Sequence, residues 1–222
     1  MACTKAILRE KGLAGADEQK TSYHHGDLRH ALLKAAEAEL REKGVEGFTL
    51  RGCAKRAGVS HAAPAHHFRD ANGLLTALAA IGFERFLSMQ KARQAAAPAA
   101  PRAQLAASGL GYIDFALENP DLFRLVFTSS RTDFEDMQLG EAARASFDHL
   151  VAGIAELRGE DPHADPRAMS DVMAVWATTH GLADLLLSGR LKALLALPKE
   201  MREKALTDII LRAVPEHPSG TV

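Results

Sequence analysis

The feature that most constrains this chain is its aliphatic balance: 41 Ala and 29 Leu stand against 8 Val and 6 Ile in 222 residues. Ala and Leu lose little on entering a helix, whereas β-branched side chains are stiff at χ1 and suit strands. No useful stretch alternates apolar and polar residues with a period of two. The chain therefore predicts an all-α fold of about nine helices.

Punctuation along the sequence places them. Asp27 is positioned to cap a helix whose apolar stripe is Leu28, Leu32, Ala35, Ala36 and Leu40, with Gly44 as its stop. Thr49 is positioned to cap a short second helix, Leu50–Ala57, ended by Gly58, and Ser60 a third over residues 61–68. Asp70 can cap a long fourth helix burying Leu74, Leu75, Leu78, Gly82 and Phe86. An Ala/Pro-rich connector at 95–101 leads to a fifth helix ending near Glu118, and Asn119-Pro120 starts a sixth. Further helices are expected over 134–157, over 167–187 and from Pro198 to about Ala213. Residues 1–20 and 215–222 read as tails.

Several function classes are excluded early. The formal net charge is −1, so bulk charge cannot carry polyanion binding and any such site must be local. Two Cys, at positions 3 and 53, do not make a disulfide scaffold or a four-Cys zinc site. No apolar run approaches a membrane span and no secretion signal is visible, so a cytoplasmic protein without membrane attachment is expected. Nucleophile-elbow, phosphate-loop and paired-carboxylate motifs are missing, which argues against an enzyme. The ten His include the neighbours His24-His25 and His66-His67, but adjacent positions on a helix diverge by about 100° and do not share a ligand. Neither a metal nor a cofactor is expected.

The charge is unevenly placed. Residues 20–69 carry nine Lys/Arg against five Asp/Glu, and residues 48–69 hold four Lys/Arg, three His and no acid. A positive face beside a short helix pair is what phosphate contact requires. Two helices of about eight residues joined by Gly58-Val59-Ser60 fit a helix-turn-helix, with Val59 as an apolar plug. The second would enter the major groove through His61, Ala62 and Ala63, whose small side chains let the backbone near base edges while His61 offers a hydrogen bond. Thr49 and Ser60 can meet phosphates with hydroxyls and helix N-terminal amides, and Arg51, Lys55, Arg56 and Arg69 add charge.

Gly47-Phe48-Thr49-Leu50-Arg51, Ala57-Gly58-Val59-Ser60, His66-His67-Phe68 and Leu74-Leu75 together resemble the tetracycline-repressor (TetR) family of bacterial transcription regulators. Tyr23-His24-His25-Gly26-Asp27-Leu28-Arg29 is similar to one subgroup, and Trp176-Ala177-Thr178-Thr179-His180-Gly181 to its Trp-His-Gly signature. The resemblance is specific over 23–86 and implies a helix-turn-helix DNA-binding domain at 21–69. It also implies a helical effector-binding and dimerisation domain at 70–214, and a homodimer held by the last two long helices. The function implied is a repressor that releases a palindromic operator when a small molecule binds. Three positions depart from the pattern: Ala65 replaces an aromatic residue, Ala71-Asn72-Gly73 replaces a Lys-Glu-Ala start, and Pro64 lies within the recognition helix. His67 and Arg69 then become the substitutes for the missing phosphate contacts. Pro64 and His66 complete the expected DNA-facing set.

For the effector, the aromatic and sulfur-bearing residues Tyr112, Phe115, Phe123, Phe127, Met137, Met173 and Trp176 are candidates, with His180 as a polar anchor or a satisfied core histidine. Most of them are expected to fill the core, and a cavity among the rest is the default ligand site. Cys53, amid basic residues, is either a low-pKa thiol or a small buried side chain.

Overall fold

The computed structural model describes residues 18–214, with side chains from Leu28 onward. The expected tails at 1–17 and 215–222 lie outside the described residues, as do the side chains of residues 23–27. Ten helices and no strand occur among the described residues. They are α1 (Glu18–Lys43), α2 (Leu50–Ala57), α3 (Ala63–Phe68), α4 (Ala71–Ala95), α5 (Pro101–Glu118), α6 (Pro120–Thr128), α7 (Met137–Arg158), α8 (Pro166–Leu187), α9 (Lys192–Leu195) and α10 (Lys199–Arg212).

Three helix starts differ from expectation, the seventh helix beginning at Met137 instead of near Phe134. α1 begins at Glu18, so residues 18–20 are not tail and Asp27 lies inside the helix instead of capping it. An aspartate inside a helix costs only a few tenths of a kcal/mol, about what any polar residue costs, and residues 18–26 contain no proline to stop propagation. The third helix begins at Ala63, two residues later than expected. Other signals act as read. Gly44 ends α1 at φ 67°, Asp70 Oδ1 accepts from Gly73 N at 2.8 Å at the start of α4, and Pro101 and Pro120 sit in first turns where no N–H is missed. The one-turn α9 is an addition between the eighth expected helix and the last.

The apolar interior centres on α4. Its main cluster runs without a break from Leu32 and Leu40 of α1 through Cys53 of α2 and Phe68 of α3 to Leu74 and Phe86 of α4, and on to Phe115 of α5 and Phe123 of α6. Two smaller clusters lie further from the helix-turn-helix. One packs Val151 and Ile154 of α7 against Val172 and Val175 of α8. The other packs Ile113 of α5 against Leu182 of α8 and Ile210 of α10. At 25 residues α4 is about 37 Å long, so its two ends serve different parts of the molecule. It packs on α1 and α3 and also on α5, α6 and α7. The α4–α5 approach is close at Gly111, where a Cβ would stand 2.6 Å from Gln90 Cα and 2.8 Å from the Met89 carbonyl oxygen. That contact fixes the backbone position from which Gln90 projects.

Candidate nucleic-acid interface and effector cavity

The helix pair is built by local chemistry. Thr49 adopts an extended backbone (φ −137°, ψ 143°) and its Oγ1 accepts from Gly52 N at 3.0 Å, closing the first turn of α2. Gly58 takes the left-handed conformation at φ 68°, which lets Val59 N donate back to Ala54 O at 3.0 Å. Val59 is half-buried against the main cluster, as a plug between the helices should be.

Entry into α3 differs from the reading of its sequence. Ala63 N donates to Ser60 O at 3.1 Å, so residues 60–62 form a turn and the Ser60 hydroxyl caps nothing. Pro64 is the reason. The residue before a proline avoids the helical region unless the proline lies in a first turn, and that is where Pro64 sits, so it deletes no helical hydrogen bond. Pro64 is buried beside Phe68, which makes it a support for α3 instead of a DNA-facing side chain. Ser60, His61, Ala62, His66 and Arg69 are exposed, together with Thr49, Arg51 and Lys55 from α2 and its cap; Ala63 and His67 are half-buried. All the expected contact residues except Pro64 thus present at least part of themselves around one helix pair. Arg29 of α1 stacks its guanidinium 5.4 Å over the Phe68 ring.

Arg69 ends α3 at φ 63°, ψ −65°. Asp70 N donates across it to Phe68 O at 2.7 Å, a γ-turn of the rare positive-φ kind. The strained residue is the joint between the helix that would read DNA and α4.

The acid-free stretch is not acid-free in space. Arg56 Nε donates to Glu39 Oε2 at 2.6 Å, and its Nη2 donates to Glu42, both on α1. Glu39 is 5% exposed, and a Cβ at Gly52 would collide with its carboxylate, so a side chain there would force the Glu39 carboxylate to shift. Arg56 is therefore a clamp between α1 and α2, not a free charge for phosphates. The Lys43 and Arg56 hydrogen bonds hold the Glu42 carboxyl down at about 2. Burial, with Glu39 adding to it, pushes the Cys53 thiol up to about 12, so Cys53 is a protonated core residue.

A cavity of about 430 Å³ lies in the helical body, walled by α4, α5, α6, α7, α8 and the loop after α6. Of the expected effector residues, Tyr112, Phe127 and Trp176 line it. Phe115 and Phe123 are core residues behind the wall, at 0% and 2% exposure. Met137 and Met173 project outward and do not line it. His180 stands behind Tyr112, with Nδ1 2.7 Å from the phenol oxygen. Burial holds the Tyr112 phenol above its ordinary range, partly offset by a hydrogen bond from Trp176, so Tyr112 stays protonated and shares a hydrogen bond with His180. His180 thus orders Tyr112 and stacks on Phe123, with ring centroids 5.4 Å apart.

Sequence reasoning misses Phe83, Phe86 and Gln90 of α4, Ser108 of α5, Phe134 of the loop, Phe147 of α7 and Thr179 of α8, all on the cavity wall. A signal was available. Gln90 lies four residues after Phe86 and Thr179 three after Trp176, so each is a polar residue on an otherwise apolar stripe. Among the described residues no cluster of His, Cys, Asp and Glu could hold a metal ion, and no helix is long and apolar enough to cross a membrane.

Comparison with known proteins agrees with this architecture. Residues 32–78 match the family described as bacterial regulatory proteins, tetR family, and residues 105–209 match the tetracyclin repressor-like C-terminal domain. No curated protein matches the sequence. A solved structure of a protein with unknown function from Rhodococcus sp. RHA1 is 36% identical, with a TM-score of 0.70 over 86% of this chain and 96% of that one. A transcriptional regulator from the same Rhodococcus strain is 25% identical, with a TM-score of 0.56 over 84% and 95%. A TetR family transcription regulator from Marinobacter aquaeolei VT8, at 17% identity, shares the fold with a TM-score of 0.63 over 86% and 97%. With a helix-turn-helix at one end of α4 and a hollow helical body at the other, the chain belongs to the tetR family of bacterial transcription regulators.

Proposed function

We propose that this regulator is a homodimeric repressor that grips a palindromic operator through α2 and α3 and lets go when a small molecule fills the cavity. The observation that carries the reading is that one helix, α4, supplies Phe83, Phe86 and Gln90 to the cavity wall, while Leu74 and the N-cap Asp70 at its other end stand at the α3 junction. A ligand can shift the DNA-binding state only through differential affinity for two arrangements, and a shared rigid element is a physical route for it.

A second link runs beside α4. In the loop after α6, Phe134 lines the cavity while Arg131 donates to the Val45 carbonyl and, at 3.0 Å, to Asn72 Oδ1. Asp133 N donates to Thr76 Oγ1 of α4 at 3.0 Å. Arg85 of α4 further ties Glu37 of α1, at 2.7 Å, to Asn119 between α5 and α6, at 2.8 Å. Displacing Phe134 would pull on contacts that hold the reading head. Dimerisation through α8 and α10 is supported by the exposed apolar side chains Met173 and Leu185 on α8 and Met201 on α10. The Trp176-to-Gly181 run, with Trp176 on the cavity wall and His180 ordering Tyr112, supports the Trp-His-Gly subgroup.

Selection of DNA fragments by the purified protein tests the reading: an inverted repeat with half-sites about one helical turn (~34 Å) apart is expected. Gel shifts on that repeat should weaken for Arg51→Ala and His61→Ala. Unchanged binding by both variants would remove this face from the interface. Arg131→Ala is expected to keep operator binding and blunt its loss on effector addition.

A further inference from the structure

Among the described residues, two buried polar side-chain atoms have no partner: Gln90 Nε2 and Thr179 Oγ1. Gln90 is 5% exposed and Thr179 is 2% exposed, and both side chains line the cavity, from α4 and α8. The Gln90 amide is oriented by Ser108 Oγ, which donates to Gln90 Oε1 at 2.8 Å and leaves the NH₂ end unused. Buried donors without acceptors are rare in folded proteins because each carries its desolvation cost uncompensated. Here they sit in a space large enough for a small molecule.

The rest of the wall narrows the chemistry. Aromatic rings dominate it: Phe83 meets Phe127 edge-on at 5.6 Å, and Phe147 meets Trp176 edge-on at 5.8 Å. Such walls suit a ring-bearing guest. Among the described residues Arg144 is the one cation on the wall, and it is exposed, while Tyr112 is held neutral. A buried carboxylate would find no charge partner at the depth of Gln90, and an unpaired buried charge is far more costly than an unpaired carbonyl.

We infer that the effector is an uncharged, ring-bearing carbonyl compound whose oxygen accepts hydrogen bonds from Gln90 Nε2 and Thr179 Oγ1. The inference rests on the effector reading above and names the chemical class for that cavity.

Three probes of similar shape separate the possibilities: benzophenone, diphenylmethane, which replaces the carbonyl with a methylene, and 2-benzoylbenzoate, which adds a carboxylate. Binding is measured by calorimetry with protein titrated into ligand. Benzophenone is expected to bind at least about tenfold tighter than diphenylmethane, the worth of a hydrogen bond to an otherwise stranded donor. 2-Benzoylbenzoate is expected to bind more weakly than benzophenone. Gln90→Leu and Thr179→Val should each shrink the ketone preference to about threefold or less. Thr179→Val is close to isosteric and keeps the test sharp should Gln90→Leu disturb the fold. Without ligand, Thr179→Val is expected to melt at or above the temperature of the parent, because an unpaired buried group has been removed, whereas Gln90→Leu also takes away the acceptor of the Ser108 hydroxyl and is expected to melt lower. Equal affinity for ketone and hydrocarbon, a preference that survives in both variants, tighter binding of the carboxylate, or no binding of any probe overturns the inference. Gel shifts with benzophenone at saturation keep the two readings apart. A ketone preference with unchanged operator affinity supports the selectivity and overturns ligand-responsive repression.

Discussion

Glu39 in the helix-turn-helix and Gln90 in the helical body are equally buried, at 5% exposure each, and they are treated in opposite ways. The Glu39 carboxylate is answered by Arg56 at 2.6 Å and covered by Gly52. The Gln90 amide keeps an unpaired donor at the cavity wall. In the reading head the buried carboxylate of Glu39 is settled by Arg56 of the neighbouring helix. Among the described residues, the body leaves Gln90 Nε2 and Thr179 Oγ1 without partners. On the proposed function, the region that holds one shape against DNA satisfies itself, and the region that responds to a guest forgoes some stability to do so.

The comparison can be broken first at Arg56. Arg56→Ala strands the buried Glu39 carboxylate and should lower the melting temperature by about 8 °C. Arg51→Ala removes an exposed cation and should stay within about 2 °C of the parent, with its effect confined to operator affinity. A drop below about 3 °C for Arg56→Ala would mean that Glu39 does not depend on its clamp. Next comes the α4–α5 contact. Gly111→Ala pushes a methyl group against the α4 backbone and should cost about 2 kcal/mol in urea denaturation while moving Gln90, so that stability and ligand affinity fall together. The smallest effect sharpens the contrast from the body's side. Burial, with Lys91 adding to it, holds the His149 imidazole below its ordinary range, with Nε2 2.8 Å from Gln94 Oε1. The folded form favours the neutral ring, so its contribution is complete above the unfolded value near 6.5 and is lost as pH falls below it. Melting temperature should therefore drop between about pH 7.5 and about pH 5.5, by about two degrees less in His149→Gln than in the parent.

What the sequence disclosed follows the range of the interactions involved. Thr49, Gly58 and Asp70 act within three or four residues of themselves, and each is legible as a cap or stop. Ser60 and Asp27 carry the same chemistry but are overruled, Ser60 by Pro64 four residues later and Asp27 by a helix already running when it arrives. Arg56 is misread along the chain because its partners Glu39 and Glu42 lie on another helix, and a charge count cannot see across that gap. The cavity is half legible. Tyr112, Phe127 and Trp176 announce an aromatic wall, but which aromatic side chains face a hole and which fill the core depends on how α4, α5 and α8 rotate against one another. Phe115 and Phe123 fall on the filled side of that division.

The unbroken apolar seam from Leu32 through Phe68 and Leu74 to Phe123 has an evolutionary corollary. A head severed after Arg69 would surrender Leu74, Leu75 and Leu78, three of its own ceiling tiles. Recombination that trades reading heads between such regulators must carry the opening turns of α4 along with them, so the workable crossover lies within that helix and not at the joint before it.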